Sequence, residues 1–364
     1  MKKTNDTELI NVESTVITDM DSLCRNSINL IKYARGLAVQ QINIIELMTN
    51  YALGRWIVEE QQNGKDRAQY GAHVIDRLSE ALTAEFGRGY SADTLKNVRK
   101  FYLTYKDRIS EPVVSFFKDT LPFTLPWTHY LILMRIKNSD ERNFYEIEAT
   151  KEMWSKRVLQ RQYSSSLYER LLLSTDKDKV LELSTKGMTV EKPQDIVKDP
   201  LVLEFLGFPE KAEYSETELE TRIIDHLQEF IMELGKGFTY VDRQKRFTFD
   251  EDHFRVDLVM YNRLLRCFVL FDLKIGKLKH QDLGQMQMYV NYYDRYEKTE
   301  DENPTVGILL CRDKNDALVE LTLPKDANIY AAKYELYLPD KKLLQNKLEQ
   351  WLKEEGISEV GKGN

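Results

Sequence analysis

The pattern of apolar and polar positions divides the chain into a helical first half and a mixed second half. Between residues 27 and 62, apolar side chains recur at the spacing of one face of an amphipathic helix. The same spacing predicts further helices over 68–86, from Ser91 onward, over 130–136 and over 141–173. Serine is a favoured N-cap, so Ser91 is expected to begin the third of these helices. Residues 1–175 are therefore predicted to form an all-helical domain.

Beyond residue 198 the chain alternates between short apolar runs and helical stretches. A helix is predicted over 216–234 and is expected to end at Gly235, because glycine is a common helix C-cap. Strands are predicted over 238–249, 254–261, 266–274, 305–311, 317–323 and 329–336, and further helices over 283–296 and 341–354. This order predicts an α/β domain over 199–364 with a central mixed sheet. The polar stretch 176–198 is predicted to be a linker.

Two carboxylates and a lysine lie within the most apolar of the predicted strands: Asp257 in one, and Asp272 with Lys274 in the next. Strands place alternate side chains on opposite faces, so Asp272 and Lys274 share a face. A hairpin turn near residues 262–263 would bring Asp257 beside Asp272. Charges in such strands are costly unless they are paired or bind a metal, and these groups suit phosphodiester hydrolysis on Mg²⁺. The alternative is a strand-end acid and an ordinary surface ion pair worth about 0–1 kcal/mol.

Glu220 is a third candidate carboxylate. At about 100° per residue it falls near the middle of the apolar face of the helix predicted over 216–234. A carboxylate on a core-facing stripe needs a partner, which would place Glu220 at the same site. The alternative is a frayed first turn from which Glu220 reaches solvent.

Composition limits the class of protein. The chain has 364 residues, 42% hydrophobic and 30% charged, which fits a soluble globular protein of two or three domains. No apolar run approaches the roughly 18 residues that cross a bilayer, and no apolar signal region follows Met1. A cytoplasmic protein without a membrane partner is expected.

The cysteines Cys24, Cys267 and Cys311 are scattered and lack CxxC spacing, which disfavours a zinc site or a disulfide framework. Cys267 and Cys311 are predicted to be buried thiols in strands. The net charge of -7 argues against non-specific coating of nucleic acid, although a local basic groove remains compatible with it.

Basic side chains mark candidate nucleic-acid contacts. The turn at 87–89 followed by a Ser91-capped helix resembles a helix-turn-helix. Its second helix would present to DNA backbone the side chains of Lys96, Asn97, Arg99 and Lys100, unless they form a solvated helix face. Lys277 and Lys279 are candidate phosphate contacts, with a solvated loop as the alternative. Lys156-Arg157, Arg161 and Arg170 are compatible with an extended phosphate-binding surface and equally with a charged helix face or a dimer contact.

Several of these residues together resemble a known superfamily. Arg255-Val256-Asp257, then Phe271-Asp272-Leu273-Lys274 and a helix with Gln285, resemble the PD-(D/E)xK nucleases. The YhcG-like branch is similar over most of 199–340, at Leu219-Glu220, 233–238, Arg243-Gln244, Asp257-Leu258, Tyr261, 272–274, 284–286 and Asn303-Pro304. Its helical N-terminal domain is resembled at Tyr70-Gly71, Phe86-Gly87, Phe101-Tyr102, Trp154-Ser155 and 168–170. Val256 replaces the proline of the superfamily motif, and Asp272 is the shorter of its two allowed acids.

The resemblance implies a restriction-endonuclease-like fold and a nuclease that depends on Mg²⁺ or Mn²⁺. Asp257 and Asp272 would bind the metal, with the Leu273 carbonyl and Glu220 as further ligands. Lys274 would position or deprotonate the attacking water, and Gln285 would orient water, metal or phosphate.

The resemblance further implies DNA rather than RNA as the substrate, and a role in defence against foreign DNA or in repair or recombination. Restriction or repair components would then be partners. Two alternatives stay open. One is a catalytically idle nucleic-acid-binding or scaffold protein that retains the fold, and the other is a homodimeric module that associates through the N-terminal helices.

Overall fold

A computed structural model describes residues 20–63, 68–108, 123–174, 177–209, 213–249, 251–324 and 327–354. Contacts within the chain group its residues into two compact units, 1–137 and 138–364. Within its described residues, the first unit contains the helices α1 (Met20–Asn63), α2 (Ala68–Phe86), α3 (Ala92–Tyr105) and α4 (Trp127–Leu133). The prediction of a helical N-terminal region is thus confirmed.

The first unit is held together by close helix packing and by aromatic rings. Ser91 caps α3 as predicted, because its hydroxyl accepts the backbone N–H of Thr94 at 3.3 Å. Helices α1 and α3 approach closely at Gly54, where a Cβ atom would lie 2.4 Å from the Val98 carbonyl oxygen. The buried ring of Phe101 lies against the rings of Tyr51, Tyr105, Phe123, Trp127 and Tyr130.

The second unit begins with four helices: α5 (Ser139–Lys151), α6 (Lys156–Ser164), α7 (Leu167–Ser174) and α8 (Lys177–Lys186). The single helix predicted over 141–173 is wrong, because the backbone turns left-handed at Met153 and Ser166. The contact-based division lies before α5, since α5 to α8 pack within the second unit. In the stretch proposed as a linker, α8 packs on α5 and Ile196 is buried in the core of the sheet domain. The domain limits at 175 and 199 stay a prediction.

A six-stranded sheet forms the centre of the second unit, in the order β1-β6-β5-β4-β3-β2. Its strands are β1 (Leu201–Val202), β2 (Phe238–Phe249), β3 (Asp252–Asn262), β4 (Cys267–Lys277), β5 (Val306–Asp313) and β6 (Ile329–Glu335). The pairs β2–β3 and β3–β4 are antiparallel, whereas β4–β5, β5–β6 and β1–β6 are parallel. The predicted central mixed sheet is confirmed.

Helices cover both faces of the sheet. The helices that pack on the sheet are α9 (Glu216–Asp225), α10 (Leu227–Leu234), α11 (His280–Tyr292) and α12 (Asp316–Thr322), whereas α13 (Lys341–Glu354) packs on α7. The helix predicted over 216–234 is divided at His226, and it ends as expected at Gly235, whose φ is 102°. The strand predicted over 317–323 is wrong: this segment is α12, which Asn315 caps by accepting the backbone N–H of Leu318 at 3.1 Å.

Two apolar clusters place the helices on opposite faces of the sheet. Phe271 and Leu273 of β4 pack with α9 and α10 on one face. Leu270, the residue before Phe271, packs with α11 on the other face. Helix α11 lies close on β5 because Gly307 has no side chain, and a Cβ there would lie 2.7 Å from the Met286 side chain. Cys267 and Cys311 are buried free thiols, as predicted. Among the described residues, no helix is long and apolar enough to cross a membrane.

Candidate active site

The two candidate aspartates lie where β3 and β4 separate. The ladder between these strands ends at Leu258 opposite Phe271, so the next opposed positions are Asp257 and Asp272. Beyond this point a side chain joins the two strands instead of backbone hydrogen bonds: the Leu273 N–H donates to Asp257 Oδ2 at 2.8 Å. Strand β4 continues beside β5 through Asp272 and Lys274. The structure thus brings Asp257, Asp272 and Lys274 to one end of the β3–β4 ladder.

Asp272 is buried and pairs with one lysine. The residue is 3% exposed, and Lys274 Nζ lies 2.8 Å from its Oδ2 atom. Among the described residues, no second hydrogen-bond donor reaches Oδ2. The Lys274 ammonium is thus the group that offsets the cost of burying this carboxylate.

Burial also sets the charges of this pair. Burial and the nearby Asp257 carboxylate raise the pKa of Asp272 to about 7, against the opposing effect of Lys274. Burial by itself lowers the pKa of Lys274, but Asp272 outweighs it and the pKa is raised. Burial likewise raises the pKa of Asp257, although its hydrogen bond from Leu273 opposes the rise. The lysine therefore carries its charge at neutral pH, and the negative charge of Asp257 disfavours ionisation of Asp272.

Glu220 joins the site through an amide that the sequence patterns did not single out. Gln244 Nε2 donates to Glu220 Oε2 at 2.5 Å and to Asp257 Oδ1 at 3.2 Å. The other end of the amide, Oε1, accepts a hydrogen bond from Arg255 Nη1 at 3.1 Å. Glu220 is 7% exposed, so it does not extend into solvent as the frayed-helix alternative required. Burial raises its pKa, and the Gln244 hydrogen bond and the charges of Arg243 and Arg255 oppose the rise.

Backbone strain accompanies this contact. Gln244 has a φ of 49°, a left-handed conformation that is uncommon for a residue other than glycine. It lies opposite Asp257 in the β2–β3 ladder, between the pairs Arg243–Leu258 and Lys245–Val256. On β3 the usual alternation also fails there, because Val256 packs with α11 while Leu258 packs on the opposite face. Strain of this kind concentrates at functional sites.

The oxygen-rich donor set fits a hard divalent cation. Mg²⁺ is usually held by one or two carboxylates together with waters and substrate phosphate, and Asp257 and Asp272 supply two. Two carboxyl groups beside a single lysine leave negative charge that such a cation would balance. In the described ranges, no three His, Cys, Asp or Glu side chains gather closely enough to hold one ion. Glu220 accordingly meets Asp257 through Gln244 instead of adding directly to a three-carboxylate cluster.

Gln285 and the two lysines beyond the site are placed less centrally. Gln285 Nε2 donates to the Tyr289 hydroxyl, which donates to the Arg255 carbonyl at 2.9 Å. Of the hydrogen bonds between described residues, none joins Gln285 to a candidate carboxylate. Lys277 ends β4, Lys279 precedes α11, and both are exposed.

Some basic residues of the helical regions are exposed, and others are paired within the protein. Three side chains on α3 are exposed: Lys96, which pairs with Asp93 at 2.9 Å, Asn97 and Lys100. Arg99 is half-buried and donates to Gln61 Oε1 on α1 at 2.6 Å. Arg161 and Arg170 do not extend a phosphate-binding surface, because both guanidinium groups pair with the buried Glu233, whereas Lys156 and Arg157 are exposed.

Comparison with known proteins gives the family context. The family described as "YhcG PDDEXK nuclease domain" matches residues 194–349, and the "DUF1016 N-terminal domain" matches residues 27–170. "Putative nuclease YhcG" of Escherichia coli (strain K12) is 38% identical over 344 residues, covering 88% of this chain and 91% of that protein.

Two solved structures are more distantly similar, each with a TM-score of 0.25. A repair endonuclease from Pyrococcus abyssi is 20% identical and covers 35% of this chain and 50% of that chain. EndoMS in its complex with dsDNA is 18% identical and covers 37% of this chain and 51% of that chain. Similarity at this level adds nothing to the assignment of the site.

Proposed function

The chain belongs to the YhcG family of PDDEXK nucleases, and from that premise we propose that it hydrolyses DNA in a metal-dependent reaction. The observation that carries the proposal is the convergence of two carboxyl groups, the buried Asp272 and the half-buried Asp257, with the Lys274 ammonium 2.8 Å from Asp272 Oδ2. One lysine balances at most one of two carboxylates, so a bound divalent cation would balance the charge that remains.

The cation is proposed to be Mg²⁺ or Mn²⁺, held by Asp257, Asp272 and the Leu273 carbonyl. When bound, such a cation lowers the pKa of a coordinated water and neutralises charge on the phosphate. Glu220 is proposed to extend the site, and the Gln244 amide fixes the orientation of its carboxylate relative to Asp257. Gln285 is proposed to act on water or phosphate after its contact with Tyr289 opens.

Lys274 is proposed to stabilise the negative charge that develops on the phosphate and to orient the attacking water. Its Nζ atom remains charged at neutral pH, because Asp272 raises its pKa against the effect of burial. A charged ammonium donates hydrogen bonds and does not accept a proton, which favours these roles over that of a general base in the resting site.

DNA is proposed over RNA on the strength of the family resemblance, with defence against foreign DNA, or repair or recombination, as the setting. Restriction or repair components would then be partners. The catalytically idle scaffold is the second candidate. It is disfavoured because Asp257, Asp272 and Lys274 are all kept and lie together.

The test is cleavage of linear, nicked, branched and single-stranded DNA by the full chain in Mg²⁺ and in EDTA. We expect products only with the cation, and their loss in Lys274→Ala. Lys333→Ala is the matched control, because Lys333 also forms a 2.7 Å ion pair on the same sheet but lies on β6. Cleavage of none of the DNAs, together with no Mn²⁺ binding by calorimetry, would favour the idle scaffold.

A further inference from the structure

Strands β2 and β3 continue as a two-stranded ribbon past the candidate site. Strand β3 pairs with β4 only from Leu258 to Asn262, whereas its pairing with β2 continues to Asp252 opposite Phe249. The segment formed by residues 243–249 and 252–257 is called the ribbon here. It extends from the end of the β3–β4 ladder, where Asp257 lies.

The two faces of the ribbon differ in chemistry. Phe247, Phe254 and Val256 belong to the cluster that packs with α11, and the Phe247 ring stacks on Tyr292 at 4.0 Å between centroids. Because strand side chains alternate, four polar side chains occupy the other face: Arg246, Thr248, His253 and Arg255. All four residues are exposed.

This polar face is continuous with the candidate site. Arg255 donates to the Gln244 amide, and the same amide donates to Asp257 and Glu220. Farther along the ribbon, the Thr248 hydroxyl and His253 Nδ1 lie 2.8 Å apart across the strands. One surface of polar groups therefore leads from His253 to the carboxylates.

The charges on this face are arranged unfavourably for the protein alone. Arg246 lies directly opposite Arg255 in the β2–β3 register. Like charges at directly opposed positions destabilise a strand pair. Neither guanidinium forms an ion pair with a residue that the structure describes, and the contact of Arg255 with Gln244 is to a neutral amide. Planar guanidinium groups bind phosphate through two parallel hydrogen bonds, so an added phosphate would relieve this repulsion.

We infer that the polar face of the ribbon binds the sugar-phosphate backbone of the DNA substrate and directs one strand to Asp257 and Asp272. The inference rests on the proposed nuclease function and adds a binding surface to it. The four steps along the strand from His253 to Asp257 span about 13 Å at about 3.3 Å each. At about 3.4 Å of helix axis per nucleotide of one strand, that length accommodates about four nucleotides. Arg246 and Arg255 would each contact one phosphate.

The test measures binding apart from cleavage. Anisotropy of a labelled DNA duplex is recorded with the full chain in EDTA over a series of KCl concentrations. Each lost phosphate contact reduces the slope of log K against log salt by about 0.9, so Arg246→Gln and Arg255→Gln should each show that loss. The double variant should lose about 1.8. Arg246→Lys keeps the charge and should retain most of the wild-type slope.

Lys245→Gln is the matched control. Lys245 is next to Arg246 on the same strand, is 43% exposed at its side chain, and lies opposite Val256 on the α11 face. Its removal should leave the salt slope unchanged. An equal loss in Lys245→Gln and Arg246→Gln would show a general charge effect and overturn the inference, as would no loss in Arg246→Gln or no DNA binding by the wild type.

The two proposals fail separately. If the wild type cuts DNA in Mg²⁺ while Arg246→Gln keeps the wild-type slope, the ribbon inference falls and the nuclease proposal stands. If the slopes change as expected but no DNA is cut, the ribbon stands as a binding surface and the nuclease proposal falls.

Discussion

Glu233 is the residue whose replacement has the most calculable effect on stability. It is completely buried on α10 and accepts from Arg170 Nη1 at 2.6 Å, from Arg161 Nη1 at 3.2 Å and from the Val202 N–H at 3.0 Å. Arg170 is itself 1% exposed. Replacing Glu233 with glutamine keeps the shape but removes the charge, which leaves a buried guanidinium without its anion.

Two estimates of the folding free energy lost in Glu233→Gln agree. Burial by itself would raise the pKa of Glu233, but Arg170, Lys198 and Arg161 outweigh it and lower the pKa from 4.5 to about 2. At about 1.36 kcal/mol per pH unit, this difference corresponds to about 3 kcal/mol of folding free energy. Removing one partner of a buried ion pair costs about 3–5 kcal/mol in other proteins. Glu233→Gln is therefore expected to lose about 3 kcal/mol at pH 7.

The stability that Glu233→Gln loses should depend on pH, in the direction that the lowered pKa of Glu233 sets. A carboxyl whose pKa is lowered by folding stabilises the protein above its unfolded pKa, and this contribution is lost as pH falls through the folded pKa. The difference between wild type and Glu233→Gln should thus be full at pH 7 and shrink between pH 4.5 and about 2. Urea unfolding followed by circular dichroism at a series of pH values measures it.

Glu229→Gln on the same helix is the control, because Glu229 is partly exposed and should change stability by less than about 0.5 kcal/mol. A Glu233→Gln variant within about 1 kcal/mol of wild type at pH 7 would refute the buried-charge argument. A difference that does not shrink at acid pH would refute it as well.

The candidate site allows two further predictions. Gln244→Ala removes the donor shared by Glu220 and Asp257, so the free energy of unfolding measured with urea in EDTA should fall by about 1–3 kcal/mol. The same variant should bind Mn²⁺ more weakly in calorimetry. Unchanged values for both would contradict the proposed positioning. Asp272→Asn removes one of the two carboxylates proposed to hold the cation, so it should lose Mn²⁺ binding in calorimetry. Mn²⁺ binding equal to that of the wild type would contradict the proposed ligand.

The hydrophobic pattern located many elements because their signals are local. The bounds predicted for α2, β2 and α13 match those of the structure. The pattern failed where the signal is short or lies in the backbone. The seven residues of α12 are too few for the spacing of apolar positions to separate a strand from a helix, and the cap at Asn315 decides for the helix. The helices also break at Met153 and Ser166, where the backbone is left-handed, although neither residue type predicts that conformation.

The candidate site residues likewise divide into those with a local sequence signal and those without one. Asp257, Asp272 and Glu220 were identified because a carboxylate on an apolar face is unusual in any sequence. Gln244 was named only within the Arg243-Gln244 family match and without a role, since an amide in a polar strand carries no such signal and its contacts depend on the position of α9. Arg161 and Arg170 were misinterpreted because their partner Glu233 lies 72 and 63 residues away in sequence.

The central claim is that Asp257 and Asp272 hold one divalent cation beside Lys274. Crystals soaked in Mn²⁺ and measured at the manganese absorption edge test it most directly, because the anomalous signal locates the ion without reference to activity. The account predicts a peak within about 2.5 Å of a carboxylate oxygen of each aspartate. A peak elsewhere, or none at these residues at saturating Mn²⁺, would contradict it.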